Sequence, residues 1–260
     1  MSYCFCCGGQ SEVSVTQFRV LTLNIHKGFS MTNWKFTLER IRDCLRQSQS
    51  NIVFLQEVIG ENLLYQRSIS NWPEQNQYEF LADSVWEHHA YGKNAIHQHG
   101  HHGNAILSEL PFEKLVHRNI STHAYAQRGL LHGHLVDGIH LVCVHLGLFE
   151  KERRLQTAML VEYIQDNVPA QAPLLVAGDF NDWRQKVHTP FAEQLNLKEV
   201  HLAHCDKAAK TFPARFPLLP MDRIYARGFS INNVELMKQP MWRDISDHCA
   251  LVADLTLQQS

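Results

Sequence analysis

The stretch "LLVAGDFNDW" (174–183) decides how this chain is read. Its first four side chains are aliphatic or small, and the run then stops at Gly178, Asp179 and, after Phe180, Asn181. A short apolar run bounded by turn-forming residues reads as a strand buried on both faces. A carboxylate and an amide therefore stand where such a strand leaves the interior.

The same pattern recurs outward from it. "FRVLTLN" (18–24), "NIVFLQE" (51–57), "NAILS" (104–108), "GLLHGHLV" (129–136), "IHLVCVHL" (139–146), "MDRIYA" (221–226) and "CALVADLTL" (249–257) are short, rich in branched aliphatics and bounded by Gly, Pro, Asn or Asp. These are predicted strands. Between the first two, Trp34, Leu38, Ile41 and Leu45 recur at helical spacing after Asn33, a candidate cap; residues 151–166 place Leu155, Met159 and Tyr163 on one side, with Leu160 and Ile164 beside them. Strands apolar on both faces imply sheets covered by helices on one side and packed on another sheet on the other. No repeat or linker divides the chain, so residues 17–260 are expected to form one domain behind a flexible tail, 1–16.

The bulk properties exclude rather than assign. With 260 residues the chain buries roughly 70–75% of its extended surface on folding, ample for a large core. A formal net charge of −2 without like-charge runs advertises neither a nucleic acid nor a membrane partner. The seven cysteines are an odd number, and Cys143 and Cys249 sit in apolar runs, so no disulfide framework is implied. Cys4-x-x-Cys7, with Cys6 between, is half of a metal or redox pattern without a second half. The N-terminus lacks the charged and apolar regions of a signal peptide, and no apolar stretch reaches membrane-spanning length, so a cytoplasmic enzyme is expected.

Polar residues gather at the strand ends. Asn24 ends the first strand, Glu57 the second, and His145 follows "LVCV"; Asp179 and Asn181 follow "LLVAG", Asp222 opens "DRIY", and Asp247 and His248 precede the last strand. One such residue would be a turn former. Six segments built this way mark a ligand-binding sheet edge.

In this order and at these separations, "LQEV", "GNAILS", "VHL" followed by "RRLQ", "GDFND", "MDRIY" and "SDH" resemble the endonuclease/exonuclease/phosphatase superfamily. The resemblance covers residues 18–257 and is closest to small bacterial members. It implies an α/β four-layer sandwich, two facing mixed β-sheets with helices outside, and a site at one edge. Its members hydrolyse phosphoesters with a divalent metal ion. The resemblance further implies Asp179 as the proton acceptor, Asn181 as a donor to a phosphoryl oxygen, His248 paired with Asp222, and His145 as a second donor to the pentacovalent phosphorus. Arg128 matches a basic position that meets phosphate in some members.

The residue types suit that chemistry. Phosphodiesters resist hydrolysis because their oxygens repel the nucleophile and the leaving alkoxide is poor, so a cation, an oriented water and hydrogen-bond donors are needed. Glu57, with Asn24 close by and Asp247 extending the shell, offers the hard oxygens that Mg2+ or Mn2+ prefer. Gly178 leaves room for close approach of substrate and backbone. A carboxylate beside His145 or His248 favours the protonated imidazole.

The six-histidine stretch "HHAYGKNAIHQHGHHGNAILS" (88–108) reads as a loop at the site's rim, with His102 and Asn104 placed to reach substrate. His26 and Lys27 in "NIHKGF" stand where the family often has another pattern and are expected to shape substrate choice. The reading is a metal-dependent phosphodiesterase acting on a small or lipid phosphodiester. The alternative is a DNA or RNA nuclease using the same site. Lys and Arg, including Arg184, Lys186, Arg215 and Arg223, are scattered rather than striped, and "WRQKVHTPF" and "TFPARFPLLPM" suggest a pocket with an apolar wall.

Overall fold

A computed structural model describes residues 16–123 and 127–258. The expected tail, with Cys4, Cys6 and Cys7, lies outside the described residues apart from Thr16. The strands in chain order are β1 (Gln17–Asn24), β2 (Ile52–Asn62), β3 (His88–His97), β4 (Gly100–Ser108), β5 (Phe112–Asn119), β6 (Gly129–Leu135), β7 (His140–His145), β8 (Leu174–Asp179), β9 (Lys198–Glu199), β10 (Asp222–Arg227), β11 (Phe229–Leu236) and β12 (Leu251–Leu257). The α-helices are α1 (Leu38–Ser48), α2 (Leu63–Ser68), α3 (Gln77–Ala82), α4 (Glu150–Asn167), α5 (His188–Leu195) and α6 (Val200–Cys205).

Two six-stranded sheets result, ordered β11-β12-β1-β2-β4-β3 and β5-β6-β7-β8-β10-β9. Each contains one parallel pair, β1 with β2 and β7 with β8, among antiparallel neighbours. A parallel pair needs a crossover. Helix α1 supplies one and α4 the other. Phe18, Val20, Phe54, Leu141, Leu175 and Ile224 fill the space between the sheets. Leu21, Val53 and Leu55 face α1 and α3, while Val142, Val144 and Val176 face α4 and α5. This is the expected four-layer sandwich, and it explains why β7 and β8 are buried at every position.

Three local expectations are corrected. The first helix begins at Leu38 after Thr37, because Asn33 has φ +57° within a loop closed by the Phe29–Phe36 bridge and Trp34 projects into solvent. In α4 the covered face is Glu152, Arg153, Gln156, Thr157, Leu160, Val161, Tyr163 and Ile164, leaving Leu155 and Met159 exposed. The buried polar half supports a loop: Gln156 accepts the N–H of Gly147 at 2.8 Å, and Arg153 donates to the carbonyls of Gly147 and Leu148. Finally, the histidine-rich stretch is not a loop but the β3–β4 hairpin.

No helix among the described residues is long and apolar enough to cross a membrane.

Candidate active site

Strand register builds one row of the site before any side chain is considered. Asp179 at the end of β8 pairs with His145 of parallel β7 on one side and with Asp222 of antiparallel β10 on the other. In the facing sheet, Asn24 ends β1 beside β2. The sandwich closes these edges against each other, so that Asn24 Nδ2 lies 3.1 Å from Asp179 Oδ2 and 3.4 Å from Glu57 Oε1.

Glu57 reaches the site through a bulge. The β2–β4 register slips between Leu55 and Val58, and Glu57 adopts φ +57°. A bulge with a left-handed non-glycine residue re-aims one side chain at the cost of strain, a combination common beside functional sites. Asn181 has φ +49°, and its N–H donates to Asp179 Oδ1 at 2.9 Å. The chain therefore turns after Asp179 instead of continuing extended. Asn181 Nδ2 donates to the Leu146 carbonyl at 3.0 Å, which holds it beside the end of β7.

The glycine before Asp179 has a different task from the one expected. A Cβ on Gly178 would fall 1.9 Å from the Val144 carbonyl oxygen, so the missing side chain lets β7 and β8 approach, and φ +146° suits glycine.

His248 stands between two carboxylates. Its Nδ1 is 2.7 Å from Asp222 Oδ2, and its Nε2 is 3.8 Å from Asp179 Oδ2 and 4.0 Å from Asp247 Oδ1. Burial disfavours the imidazolium, but Asp222 and Asp179 outweigh it and lift His248 to about 10. Burial raises Asp179 to about 6, with Asp222 adding to the shift and His248 opposing it. His145 differs from expectation. Its Nε2 is 3.4 Å from Asp179 Oδ2, yet complete burial, with Arg128 nearby, holds it well below the ordinary histidine value. One buried imidazole is thus held protonated and the other neutral around one carboxylate.

Glu57 Oε2 is buried without a hydrogen-bond donor, and Lys27 Nζ lies 3.5 Å from it. Burial alone would raise this carboxyl, but its positive surroundings, with Lys27 the formal cation beside it, hold it down to about 2. An ionised carboxylate with one oxygen unsatisfied fits a hard divalent ion. Asn24 fits less directly, because its Oδ1 accepts the His26 N–H at 2.9 Å and its amide N–H2 faces Glu57 and Asp179. Asp247 lies near His26, with Oδ1 3.8 Å from Nδ1. Among the described residues, the one set of three Asp, Glu, His or Cys ligand atoms within 4.8 Å of one another is Asp179, Asp222 and His248. Its imidazole Nδ1 is committed to Asp222, which makes it a hydrogen-bonded chain first and a ligand set second.

The remaining candidates lie around this centre. Arg128 is half-buried, with Nε donating to the Leu146 carbonyl at 3.2 Å. Beside it a cleft of about 420 Å3 is walled by Lys93, Asn94, His117, Ser121, His123 and Gln127. His102 is pulled down to about 4 by burial and then by Lys27. Asn104 is fully buried opposite the bulge, where Nδ2 donates to the Gly129 carbonyl at 3.0 Å and pins the two sheets together. Phe212 packs its ring 4.9 Å from that of His248 as an apolar wall, whereas Phe216 and Leu218 project into solvent.

Two supporting residues escaped the sequence reading. Asp182 and Arg223 are both buried, with Arg223 Nη1 3.2 Å from Asp182 Oδ2 and Nη2 donating to the Asp182 carbonyl. Asp182 also accepts the Val187 N–H at 2.9 Å, so the pair ties down the loop that carries Asn181. Arg223 had looked like one of several scattered surface cations. The alternation of β10 was the available signal, since Arg223 falls between Asp222 and Ile224 in a strand buried at both faces.

Comparison with known proteins agrees with this geometry. The model of the Endonuclease/Exonuclease/phosphatase family matches residues 21–248. The Escherichia coli K12 protein YbhP, itself uncharacterized, is 44% identical over 245 residues, covering 92% of this chain and 96% of its own. Among solved structures, an endonuclease/exonuclease/phosphatase from Beutenbergia cavernae superposes with TM-score 0.74 at 20% identity, covering 94% of this chain and 72% of that one. The human Nocturnin catalytic domain with bound sulfate gives 0.68 at 20% identity and 94% of each chain. By its fold, its ordered motifs and this match, the chain belongs to the endonuclease/exonuclease/phosphatase family.

Proposed function

We propose that the chain is a divalent-metal-dependent phosphodiesterase whose substrate is a small or lipid phosphodiester. The observation that carries the reading is the buried cluster of Asp179, His145, His248 and Asp222, set against the unsatisfied carboxylate oxygen of Glu57. Family members are generally phosphoester hydrolases, and a sandwich neighbour at TM-score 0.69 is a mannosyl-6-phosphatase from Bacteroides thetaiotaomicron.

Asp179 accepts the proton of the attacking water, held for that purpose by Asn24 and by the backbone of Asn181. His248, oriented by Asp222 through Nδ1, presents Nε2–H to the phosphoryl group. Asn181 and His145 complete the donor set, and Arg128 meets the phosphate from the side of the polar cleft. Glu57, with Asp247 extending the shell beside His26, would hold Mg2+ or Mn2+, which would supply charge neutralisation at the phosphoryl oxygens. Asn24 orients Glu57 through its amide N–H2.

Turnover of a bis-aryl phosphate, an aryl monophosphate, plasmid, oligonucleotide and phospholipid, each with Mg2+ or Mn2+, tests the reading. Preference for the small or lipid diesters supports it. Efficient plasmid nicking beside negligible turnover of both would replace it with the nuclease reading.

A further inference from the structure

The loops around the catalytic cluster carry an uneven share of exposed apolar surface. Trp34 is 90% exposed, Phe216 75% and Phe149 72%. Trp34 follows β1, Phe149 follows β7 and Phe216 precedes β10, so all three leave the sheet edge that holds the cluster. Leu148, Trp183 and Leu218 come from loops at the same edge, and Leu63, Leu64 and, at the β3–β4 turn, Ile96 extend it where β2 ends. Among the described residues, the large apolar side chains exposed away from it are Leu115, Val136, Leu155 and Met159. Single exposed apolar residues need no explanation; their gathering around a polar reaction centre does.

Charge follows the same pattern. Residues 25–37 contain no Asp or Glu and carry His26, Lys27 and Lys35; residues 207–221 contain none and carry Lys207, Lys210 and Arg215. The two segments meet, since Trp34, Lys35 and Arg215 line one small cleft with Asp244. Facing acids are Asp244, 2.7 Å from Arg215, Glu57 beside Lys27, and Asp247, 3.8 Å from His26. Interfacial Trp and Phe beside clustered Lys and Arg match the chemistry of an anionic leaflet, where apolar side chains enter the acyl boundary and the cations meet phosphates.

We propose that this edge is a docking surface for a bilayer containing anionic phospholipid, which presents headgroup phosphoesters to the site. The proposal rests on the phosphodiesterase reading and names its substrate class. Trp34 and Phe216 could equally stack on nucleic-acid bases. Leu148, Leu218, Leu63 and Leu64 have no stacking face and gain only from an apolar medium, which favours the bilayer.

The test uses the full chain with vesicles of phosphatidylglycerol and phosphatidylcholine, and with vesicles of phosphatidylcholine alone. Binding is expected to the anionic vesicles, with a blue-shifted tryptophan emission. Replacing Trp34, Phe216 and Leu218 together by Ala weakens that binding about tenfold or more, while turnover of a water-soluble bis-aryl phosphate and the circular dichroism spectrum stay unchanged. A chain that hydrolyses the soluble diester but ignores both vesicles, or whose triple variant binds them undiminished, overturns the docking and leaves the site reading intact. Vesicle binding without hydrolysis of any phosphoester overturns the site reading and, with it, the substrate assignment. An oligonucleotide bound in place of vesicles, and lost in the triple variant, overturns the lipid in favour of a nucleic acid.

Discussion

Asp222 Oδ2 lies 2.7 Å from His248 Nδ1, and the other carboxylate oxygen of Asp222 is buried without a partner. The contact makes Nδ1 the proton-bearing nitrogen toward the strand and leaves Nε2 facing Asp179 and the substrate side. Asp222→Asn keeps the shape and removes the leading charge that keeps the imidazole protonated and oriented. Its kcat is expected to fall by roughly 10²–10⁴-fold, the range of general acid–base and oriented-donor groups. Steady-state kinetics on the folded variant checks this, and an unchanged kcat refutes the orienting role.

Removing the Glu57 carboxylate acts on the metal and not on the fold. The Glu57→Ala variant is expected to need much higher Mg2+ or Mn2+ for half-maximal activity, and wild-type activity is expected to vanish in excess EDTA and return on adding the ion. Calorimetric titration with Mn2+ gives an independent readout. Full activity in EDTA would sink the assignment.

The Asp182–Arg223 pair is a stability element with a catalytic consequence. Asp182→Ala leaves a buried guanidinium uncompensated, which costs about 3–5 kcal/mol. Urea unfolding measures the loss, and replacing both residues with apolar ones of similar size recovers part of it. Because Asp182 directly follows Asn181, kcat falls as well. A loss below about 1 kcal/mol, the value of a surface pair, contradicts this.

Far from the site, a buried histidine pair sets an acid limit on stability. His132 Nε2 is 2.9 Å from His140 Nδ1, and His132 Nδ1 is 3.0 Å from Tyr163 Oη. Burial lowers both histidines to about 4, helped by His134 beside them, by Lys114 near His132 and by Arg227 near His140; Glu113 faces His134 at 2.9 Å. In the unfolded chain these histidines take up protons near their ordinary value of about 6.5. The unfolded state therefore binds more protons between there and about 4, and stability is lost as pH falls through that window. Urea midpoints at about pH 7 and about pH 5 should differ less in His140→Gln than in the wild type. Equal differences would show that this pair is not responsible.

Much of the molecule was legible because apolar runs can satisfy themselves in few ways. "LLVAG" and "LVCV" are too apolar for an edge strand, so two covered sheets followed from them, and Asp179, His145 and Asp222 fell at strand ends where register now pairs them. β3, β5, β9 and β11 were missed. The first two are polar strands: β3 is hidden among histidines, and exposed β5 alternates weakly.

The sequence by itself determined which residues stand at this edge of the sandwich, because each apolar run is buried along its length and its polar terminus falls where the strand ends. It could not determine how the two edges meet. That Asn24 touches Asp179 from the opposite sheet, that a bulge turns Glu57 inward, that Gly178 yields to the Val144 carbonyl rather than to substrate, and that Arg223 is buried on Asp182 are all contacts between residues tens to hundreds of positions apart. The protonation of His145 and His248 was decided there too. Burial disfavours the charged form at both, and the carboxylates of Asp222, at 2.7 Å, and Asp179, delivered by tertiary packing, reverse that for His248.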